Sequence, residues 1–263
     1  MKDLSIAISY AELSFDELET LARQGDAEAQ FHLALRYDID DDYKEAVKWY
    51  RKAAEQGHVE SQFNLGACYH NGDGVRKNYK KAVAWYSKAV DNQKFPDAFF
   101  NLAICFEEGK GVKKDPVQAV KLYKKSAAHG VVLAYNNIGW CYEKGCGVKK
   151  NLAAAAKWYA KGAQSGDATA QFSLAQCYYY GKGVKKDPAL AVEWYIKSAC
   201  QGCLQAQNNL GDCYENGVGV AKDISRAIYW YTEAAQQGDE LAKENLEELT
   251  RKQDEGSDDS VPF

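Results

Sequence analysis

The sequence has little proline and no long hydrophobic run, and both absences narrow the possible folds. Only 4 of its 263 residues are proline, so few positions interrupt a helix. No apolar stretch approaches the roughly 20 residues that a membrane-spanning helix needs. The first residues include the acidic Asp3 and no long apolar core, which argues against a signal peptide. We therefore expect a cytoplasmic protein.

Residue types that carry chemistry are also sparse. A formal net charge of −4 does not favour broad attraction to nucleic acids or membranes. The 4 histidines lack metal-ligand spacing, and neither S-x-x-K nor G-x-x-x-x-G-K-[ST] occurs. We therefore expect a protein that is not an enzyme and binds no cofactor, metal, nucleic acid or membrane.

A repeat of about 36 residues organises the chain. One alanine recurs at intervals of 36 residues: Ala98, Ala134, Ala170, Ala206 and Ala242. Each unit contains a first segment such as residues 134–145, a glycine-containing loop, and a second segment such as residues 152–166. Repeat arrays grow without one large core because each unit contacts only its neighbours.

Both segments of the repeat have the spacing of α-helices. In the first segment, Leu or Ile is followed four positions later by Tyr or Phe, as in Ile138 and Tyr142. A small residue such as Gly139 lies between them and lets the second helix approach closely. The Asp-Pro pair at 115–116 predicts an N-cap followed by proline in the first helical position. A glycine such as Gly166 closes each second helix.

This pattern predicts an all-α fold, a right-handed α-solenoid of about six helix-turn-helix repeats with capping helices at both ends. Residues 1–28 form an N-terminal extension and capping helix, and residues 29–241 form the six repeats. A Glu- and Lys-rich capping helix is expected at 242–252. A disordered acidic tail is expected at 253–263.

The combined motif reads A-x-x-x-L-G-x-x-Y-x-x-G-x-G-V-x-x-D-x-x-x-A-x-x-W-Y-x-x-A-A-x-x-G. It resembles the Sel-one-like repeat, a relative of the tetratricopeptide repeat, over roughly residues 15–250. The resemblance implies a superhelix whose first helices line a concave face, and a role as a scaffold or adaptor in protein complexes. The first unit departs from the motif, because residues 37–46 lack the G-x-G-V loop. Its turn must be shorter.

A polar position recurs on the first helices, just before the Leu or Ile. We call this set the asparagine ladder: Asn64, Asn101, Asn137, Ser173, Asn209 and Asn245. Because asparagine is a mediocre helix former, its recurrence needs a reason. An amide both donates and accepts, so the ladder can grip the backbone of an extended peptide. Peptide-clamping tetratricopeptide domains have a similar asparagine. Alternatively, these amides bond the neighbouring helix and keep the repeats in register.

Large side chains flank the ladder at positions that differ between repeats. We expect them to share the concave strip with the ladder and to anchor a ligand. Packing between repeats is the alternative. Nearby acidic groups such as Glu107, Glu143 and Glu215 favour a partner with a basic and apolar segment. The predicted peptide-binding residues are Asn64, Asn101, Asn137, Asn209, Phe99, Ile104, Tyr135, Trp140, Gln176, Tyr179 and Asp212.

The cysteines indicate a reducing compartment. Five occupy one repeat position and are predicted to be small buried hydrophobes: Cys68, Cys105, Cys141, Cys177 and Cys213. Secreted cysteine-rich relatives have a bridging pair in each repeat. Here Cys200 lies near the second position of such a pair, but the position of its partner is occupied by Gln207.

The loops between the paired helices carry a basic ridge: Arg76, Lys77, Lys113, Lys114, Lys149, Lys150, Lys185, Lys186 and Lys222. These side chains can meet phosphate or an acidic partner, although solvation is the favoured interpretation. The loop glycines follow a helix rather than a strand, so they do not form a nucleotide-binding loop. We expect them to relax the turn.

The sequence therefore favours a monomeric scaffold or adaptor that binds a protein or peptide on its concave face. One alternative is an architectural subunit that uses its ends or convex face and leaves the groove unoccupied. Another is a hydrolase or redox enzyme built on a scaffold fold.

Overall fold

The computed structural model describes residues 9–91 and 95–258, with side chains through residue 253. Within these ranges the chain forms 14 α-helices and no strand. The helices are α1 (Phe15–Arg23), α2 (Ala27–Ile39), α3 (Tyr43–Glu55), α4 (Val59–Asn71), α5 (Tyr79–Asp91), α6 (Pro96–Glu108), α7 (Pro116–Ala128), α8 (Leu133–Lys144), α9 (Leu152–Gln164), α10 (Ala168–Tyr180), α11 (Pro188–Ala199), α12 (Leu204–Asn216), α13 (Ile224–Gln236) and α14 (Glu240–Asp258). The predicted all-α repeat fold is confirmed.

The helices pack in sequential pairs. The pairs are α2–α3, α4–α5, α6–α7, α8–α9, α10–α11 and α12–α13. We call the members of a pair its first and second helix. The chain divides into two compact units, residues 1–131 and 132–263. In the first unit α1 packs on α2, and in the second α14 packs on α13.

The helix ends follow the predicted chemistry. Asp115 Oδ1 accepts a hydrogen bond from the Gln118 amide at 2.9 Å, and Pro116 is the first helical residue. Gly166 lies after the end of α9 with φ of 93°, a left-handed conformation that glycine adopts without cost. The predicted caps and terminating glycines are confirmed.

A buried tyrosine holds each helix pair together. The six tyrosines are each at most 2% exposed: Tyr50, Tyr86, Tyr123, Tyr159, Tyr195 and Tyr231. In the pair α8–α9 the ring of Tyr159 lies on the backbone of α8, where a Cβ added to Gly139 would be 2.5 Å from the ring. The same notch joins Gly211 to Tyr231 at 2.6 Å. The close approach predicted from the small residue is confirmed.

In four of the G-x-G-V loops the second glycine fits closely against the preceding repeat: Gly74, Gly111, Gly183 and Gly219. A Cβ on Gly219 would lie 2.3 Å from the carbonyl oxygen of Pro188, and one on Gly74 would lie 2.1 Å from that of Tyr43. These glycines do more than relax a turn. They bring the loop backbone against the N-terminus of the preceding second helix, where no side chain fits.

Both ends of the repeat array vary the pattern. Only residues 40–42 separate α2 from α3, against residues 72–78 in the next pair, so the predicted shorter first turn is confirmed. At the other end, α14 continues six residues past the predicted end at 252. Extending an existing helix by one residue costs far less than starting one. The expected disorder therefore does not begin at residue 253, and the rest of the tail, 259–263, lies outside the described residues.

The recurring cysteines are buried, as predicted, and none of the eight cysteines, all in the described ranges, forms a disulfide. Burial raises the pKa of the Cys68 and Cys213 thiols to about 12, and that of the Cys105 and Cys177 thiols to about 11. These thiols are protonated at neutral pH and act as apolar side chains. No helix in the described ranges is long and apolar enough to cross a membrane.

A pair of glycine substitutions tests the loop contact. Gly219 and Gly238 both have positive φ, but an added Cβ meets nothing within 4 Å at Gly238. Gly238→Ala should cost only the left-handed backbone penalty of about 1–2 kcal/mol. Gly219→Ala should lower the free energy of unfolding by about 2 kcal/mol more, because its Cβ overlaps Pro188. Equal losses in urea titrations would contradict the contact.

Candidate interaction surface

The asparagine ladder contacts the buried tyrosines. Asn209 Nδ2 donates a hydrogen bond to the Tyr195 hydroxyl at 3.2 Å. Two further pairs in residues 9–91 and 95–131 make the same contact: Asn64 with Tyr50 and Asn101 with Tyr86. In each pair the tyrosine belongs to the second helix of the preceding repeat. These contacts fit the register alternative, in which the ladder aligns neighbouring repeats.

The ladder amides keep further hydrogen-bonding capacity. Asn64, Asn101, Asn137 and Asn209 are all half-buried, so part of each side chain faces solvent. An amide group carries two donor hydrogens and an acceptor oxygen, and the tyrosine takes one of these three. Peptide contact by the ladder therefore stays a prediction alongside the register contact.

The three acidic residues that were expected near the concave strip bind buried tyrosines. The buried tyrosine of their own repeat donates a hydrogen bond to each carboxylate: Tyr123 to Glu107 at 2.6 Å, Tyr159 to Glu143 at 2.8 Å, and Tyr231 to Glu215 at 3.0 Å. Burial, followed by these hydrogen bonds, raises the pKa of Tyr159 and Tyr231. The carboxylates accept hydrogen bonds from buried hydroxyls, a role that the repeat pattern alone does not indicate.

Phe99 and Tyr135 lie on the opposite side of their helices from the ladder. Each precedes its ladder asparagine by two residues, which is a rotation of about 200°. Phe99 is 2% exposed and stacks on His129 at 6.2 Å. Tyr135 is half-buried and stacks on Trp158 at 6.0 Å. The expectation that these rings share the exposed strip is wrong, and packing explains both.

Equivalent positions in other repeats explain why this side is buried. There a glutamine caps the preceding second helix, as Gln171 Nε2 does by donating to the Ala163 carbonyl oxygen at 3.3 Å. Gln207 donates to the Ala199 carbonyl oxygen in the same way at 3.2 Å. The aromatic rings at Phe99 and Tyr135 therefore replace a structural contact rather than add a surface anchor.

The position three residues after the ladder does face outward. It holds Ile104 in the first unit, and Trp140, Gln176 and Asp212 in the second. Trp140 is 40% exposed, and the other three are half-buried. Within residues 132–253, these side chains lie at the same place on the first helices α8, α10 and α12.

A tyrosine joins this surface to an acidic group. Tyr179 donates a hydrogen bond to Asp212, and Asn216 Nδ2 donates to Asp212 Oδ1 at 2.8 Å. Burial raises the pKa of Asp212 despite both bonds. Tyr180 is 57% exposed, and its ring meets that of Tyr179 edge-on at 4.8 Å.

We call Trp140, Gln176, Tyr179, Tyr180 and Asp212 the aromatic–acidic strip. Tyr180 was not predicted from the sequence, although three consecutive tyrosines end α10. Its neighbour Lys182 places its ammonium 5.1 Å from the ring centre and 3.9 Å from Glu143. The strip therefore combines exposed rings, a partly desolvated carboxylate and a basic edge.

A double-mutant cycle tests the register contact. Asn209→Ala should lower the free energy of unfolding by about 0.5–1.5 kcal/mol, the net value of one hydrogen bond. In a Tyr195→Phe background the same change should have almost no effect, because the hydroxyl is absent. Additive losses in urea unfolding would mean that the two groups do not interact.

The model of the Sel1 repeat matches six segments: residues 27–58, 59–93, 96–131, 132–167, 168–203 and 204–239. No match was found among the curated proteins. A Sel1 repeat protein from Oxalobacter formigenes is 36% identical, with a TM-score of 0.75 over 82% of this chain and 86% of that protein.

Two further solved structures are similar. One is a protective antigen of uropathogenic Escherichia coli strains that displays an SLR fold. It is 34% identical, with a TM-score of 0.83 over 89% of this chain. This chain spans about half of that protein, 51% of its length. An immunity protein from Pseudomonas aeruginosa, 23% identical with a TM-score of 0.50 over 80% of this chain and 81% of that protein, shares the fold alone. The six matched repeats and the Oxalobacter formigenes protein show that the chain belongs to the Sel1 repeat family, a family of repeat scaffolds that generally mediate protein–protein interactions.

Proposed function

We propose that this chain is a protein-interaction scaffold or adaptor that binds its partner through the aromatic–acidic strip. The observation that carries the proposal is the exposure of Trp140. The other five tryptophans all lie on second helices, where they are buried or half-buried. Trp140 lies on a first helix and is 40% exposed. A large exposed ring that the core does not use is the commonest kind of interface hot spot.

The strip's chemistry favours a partner segment with a basic residue beside an apolar one. Burial already disfavours the charged form of Asp212, so a Lys or Arg of the partner would stabilise that charge. The rings of Trp140, Tyr179 and Tyr180 would accept the apolar side chain and the stem of the basic residue. This electrostatic complementarity would set specificity more than affinity.

The asparagine ladder would supply backbone contacts. In the second unit, Asn137 and Asn209 lie three positions before Trp140 and Asp212 on the same helix faces. In the first unit, Asn64, Asn101 and Ile104 offer similar amide and apolar chemistry on first helices. One amide hydrogen of a ladder residue would stay on its tyrosine, while the other amide atoms would meet an extended peptide.

A second candidate is an architectural subunit that uses its second helices or its end. The observation that favours it is Tyr229 on α13, which is 53% exposed and packs edge-on against Trp230 at 4.9 Å. Leu241 on α14 is 56% exposed. A partner that covers these side chains would leave the aromatic–acidic strip unoccupied.

For the compartment we propose the cytoplasm. Eight cysteines that form no disulfide in the described ranges, five of them buried in the core, fit a reducing environment. No second cysteine stands at the position where secreted relatives would bridge their paired helices.

A matched pair of aromatic truncations separates the two candidates. Proteins captured from source-cell lysate by the wild-type chain are compared with those captured by Trp140→Ala and by Tyr229→Ala. Trp140→Ala should weaken partner binding about 30-fold or more, the cost of losing a hot spot. Tyr229→Ala should leave binding unchanged, and circular dichroism should show both variants folded.

The reverse outcome would contradict the proposal. If Tyr229→Ala loses the partner and Trp140→Ala retains it, the architectural candidate replaces the strip. Asp212→Asn provides a second measurement on the strip. It should weaken binding and reduce its dependence on salt, because the basic residue of the partner loses its counter-charge.

A further inference from the structure

A basic pocket lies in the first unit, on elements that carry none of the aromatic–acidic strip. Its volume is about 520 Å³. We call it the Arg51 pocket, and its lining residues are Arg51, Tyr69, Val75, Arg76, Lys77, Asn78 and Lys81. They come from the second helix α3, the end of the first helix α4, the following loop, and the start of α5. Four of the seven side chains are cationic.

A buried tyrosine positions two of the cations. Tyr69 is 6% exposed, and its hydroxyl accepts a hydrogen bond from Arg51 Nη2 at 3.0 Å. The Lys81 ammonium lies 5.1 Å from the centre of the same ring. One hydrogen bond therefore fixes the Arg51 guanidinium, whose remaining donors stay available. The cations are held beside the cavity before any ligand arrives.

The charge in the pocket is not compensated. The lining holds no carboxylate, and no ion pair in the described ranges engages Arg51, Arg76, Lys77 or Lys81. Bringing four positive charges together without counter-charges is unfavourable for folding. Such an arrangement is typical of a site that binds an anion.

The last pair shows what a compensated version of this site looks like. There Arg226 occupies the position of Lys81 and donates to the Tyr214 hydroxyl at 3.2 Å. Arg226 also pairs with the helix-capping Asp223 at 3.3 Å. In the Arg51 pocket the cap is the neutral Asn78, and the residue equivalent to Arg51, on the second helix that precedes the last pair, is the apolar Ile196. The repeat framework therefore does not require the excess charge.

Asn78 adds neutral donors at a capping position where four of the other five repeats have an aspartate. Its Oδ1 accepts a hydrogen bond from the Lys81 amide at 3.1 Å and caps α5. The cap uses the amide oxygen and leaves the amide hydrogens available. The positive end of the α5 dipole lies at the same place. An aspartate cap would have repelled an anion here.

We propose that the Arg51 pocket binds a phosphate group. A phosphate monoester carries up to two negative charges and three acceptor oxygens, whereas a carboxylate carries one charge and two oxygens. Four cations and the donors of Asn78 match the phosphate better. Arginine meets phosphate with two parallel hydrogen bonds, and lysine adds a point charge. The cavity is large enough to admit the molecule that carries the phosphate.

The test is an amide NMR titration at constant ionic strength. The probes are inorganic phosphate and phosphoserine, with sodium chloride and serine as controls. Phosphate should produce saturable shifts confined to residues around Arg51, Asn78 and Lys81. Phosphoserine binding at least as tightly as inorganic phosphate would identify a phosphorylated side chain as the source. Binding of inorganic phosphate alone would identify a free anion.

Matched variants complete the test. Arg51→Gln combined with Lys81→Gln should weaken phosphate binding about tenfold or more, the cost of losing charge-assisted hydrogen bonds. Arg76→Gln combined with Lys77→Gln changes only exposed loop residues and should weaken binding without altering the melting temperature. Arg226→Gln, at the compensated site, should have no effect.

Two results would overturn the proposal. One is a response to phosphate that chloride reproduces or that spreads evenly over Lys113, Lys149 and Lys185, because it would indicate general screening. The other is unchanged affinity in the folded Arg76→Gln, Lys77→Gln variant. Neither result depends on the aromatic–acidic strip, so this test stands apart from the partner-binding experiment.

Discussion

Each repeat depends on burying one tyrosine between its two helices. The ring packs against a first-helix position where only glycine or alanine fits, as Gly139 and Tyr159 show. Its hydroxyl is then buried and needs a partner, because an unpaired polar group in the core is costly. A glutamate of the same repeat or an asparagine of the next repeat meets that need, as Glu143 and Asn209 do. One side chain thus links packing within a pair to alignment between pairs.

This constraint separates framework from function on the surface. Residues that recur at every repeat are largely committed to tyrosines, helix caps or the loop contact. Binding specificity must then come from positions where one repeat differs from the rest. Trp140 and Asp212 are such residues on first helices of the second unit, and Arg51 is one on a second helix of the first unit. The Sel1 framework can therefore carry chemically different surfaces without changing its core.

Much of this fold was predictable from the sequence, because its determinants are local and recur every 36 residues. Helix caps, terminating glycines and the small residue under the tyrosine could all be identified by spacing. The prediction for Phe99 was wrong about the side of the helix. Phe99 precedes Asn101 by two residues, and two residues turn an α-helix by about 200°, so the two side chains lie on opposite sides. The pairing of Tyr159 with Glu143 spans two helices, so periodicity within one helix could not reveal it. The Arg51 pocket is formed by three helices and a loop, so no pattern within a single helix predicts it.

The most direct test of the central claim is a pH titration of the tyrosine ring carbons by ¹³C NMR, with circular dichroism recorded in parallel. Burial raises the pKa of five core tyrosines: Tyr50, Tyr86, Tyr159, Tyr195 and Tyr231. Because the folded state raises these values, their stabilisation is complete below the unfolded pKa of about 10 and is lost as pH rises above it. We predict that these five rings ionise only as the helices unfold. Ionisation near pH 10 with the helical signal intact would contradict it.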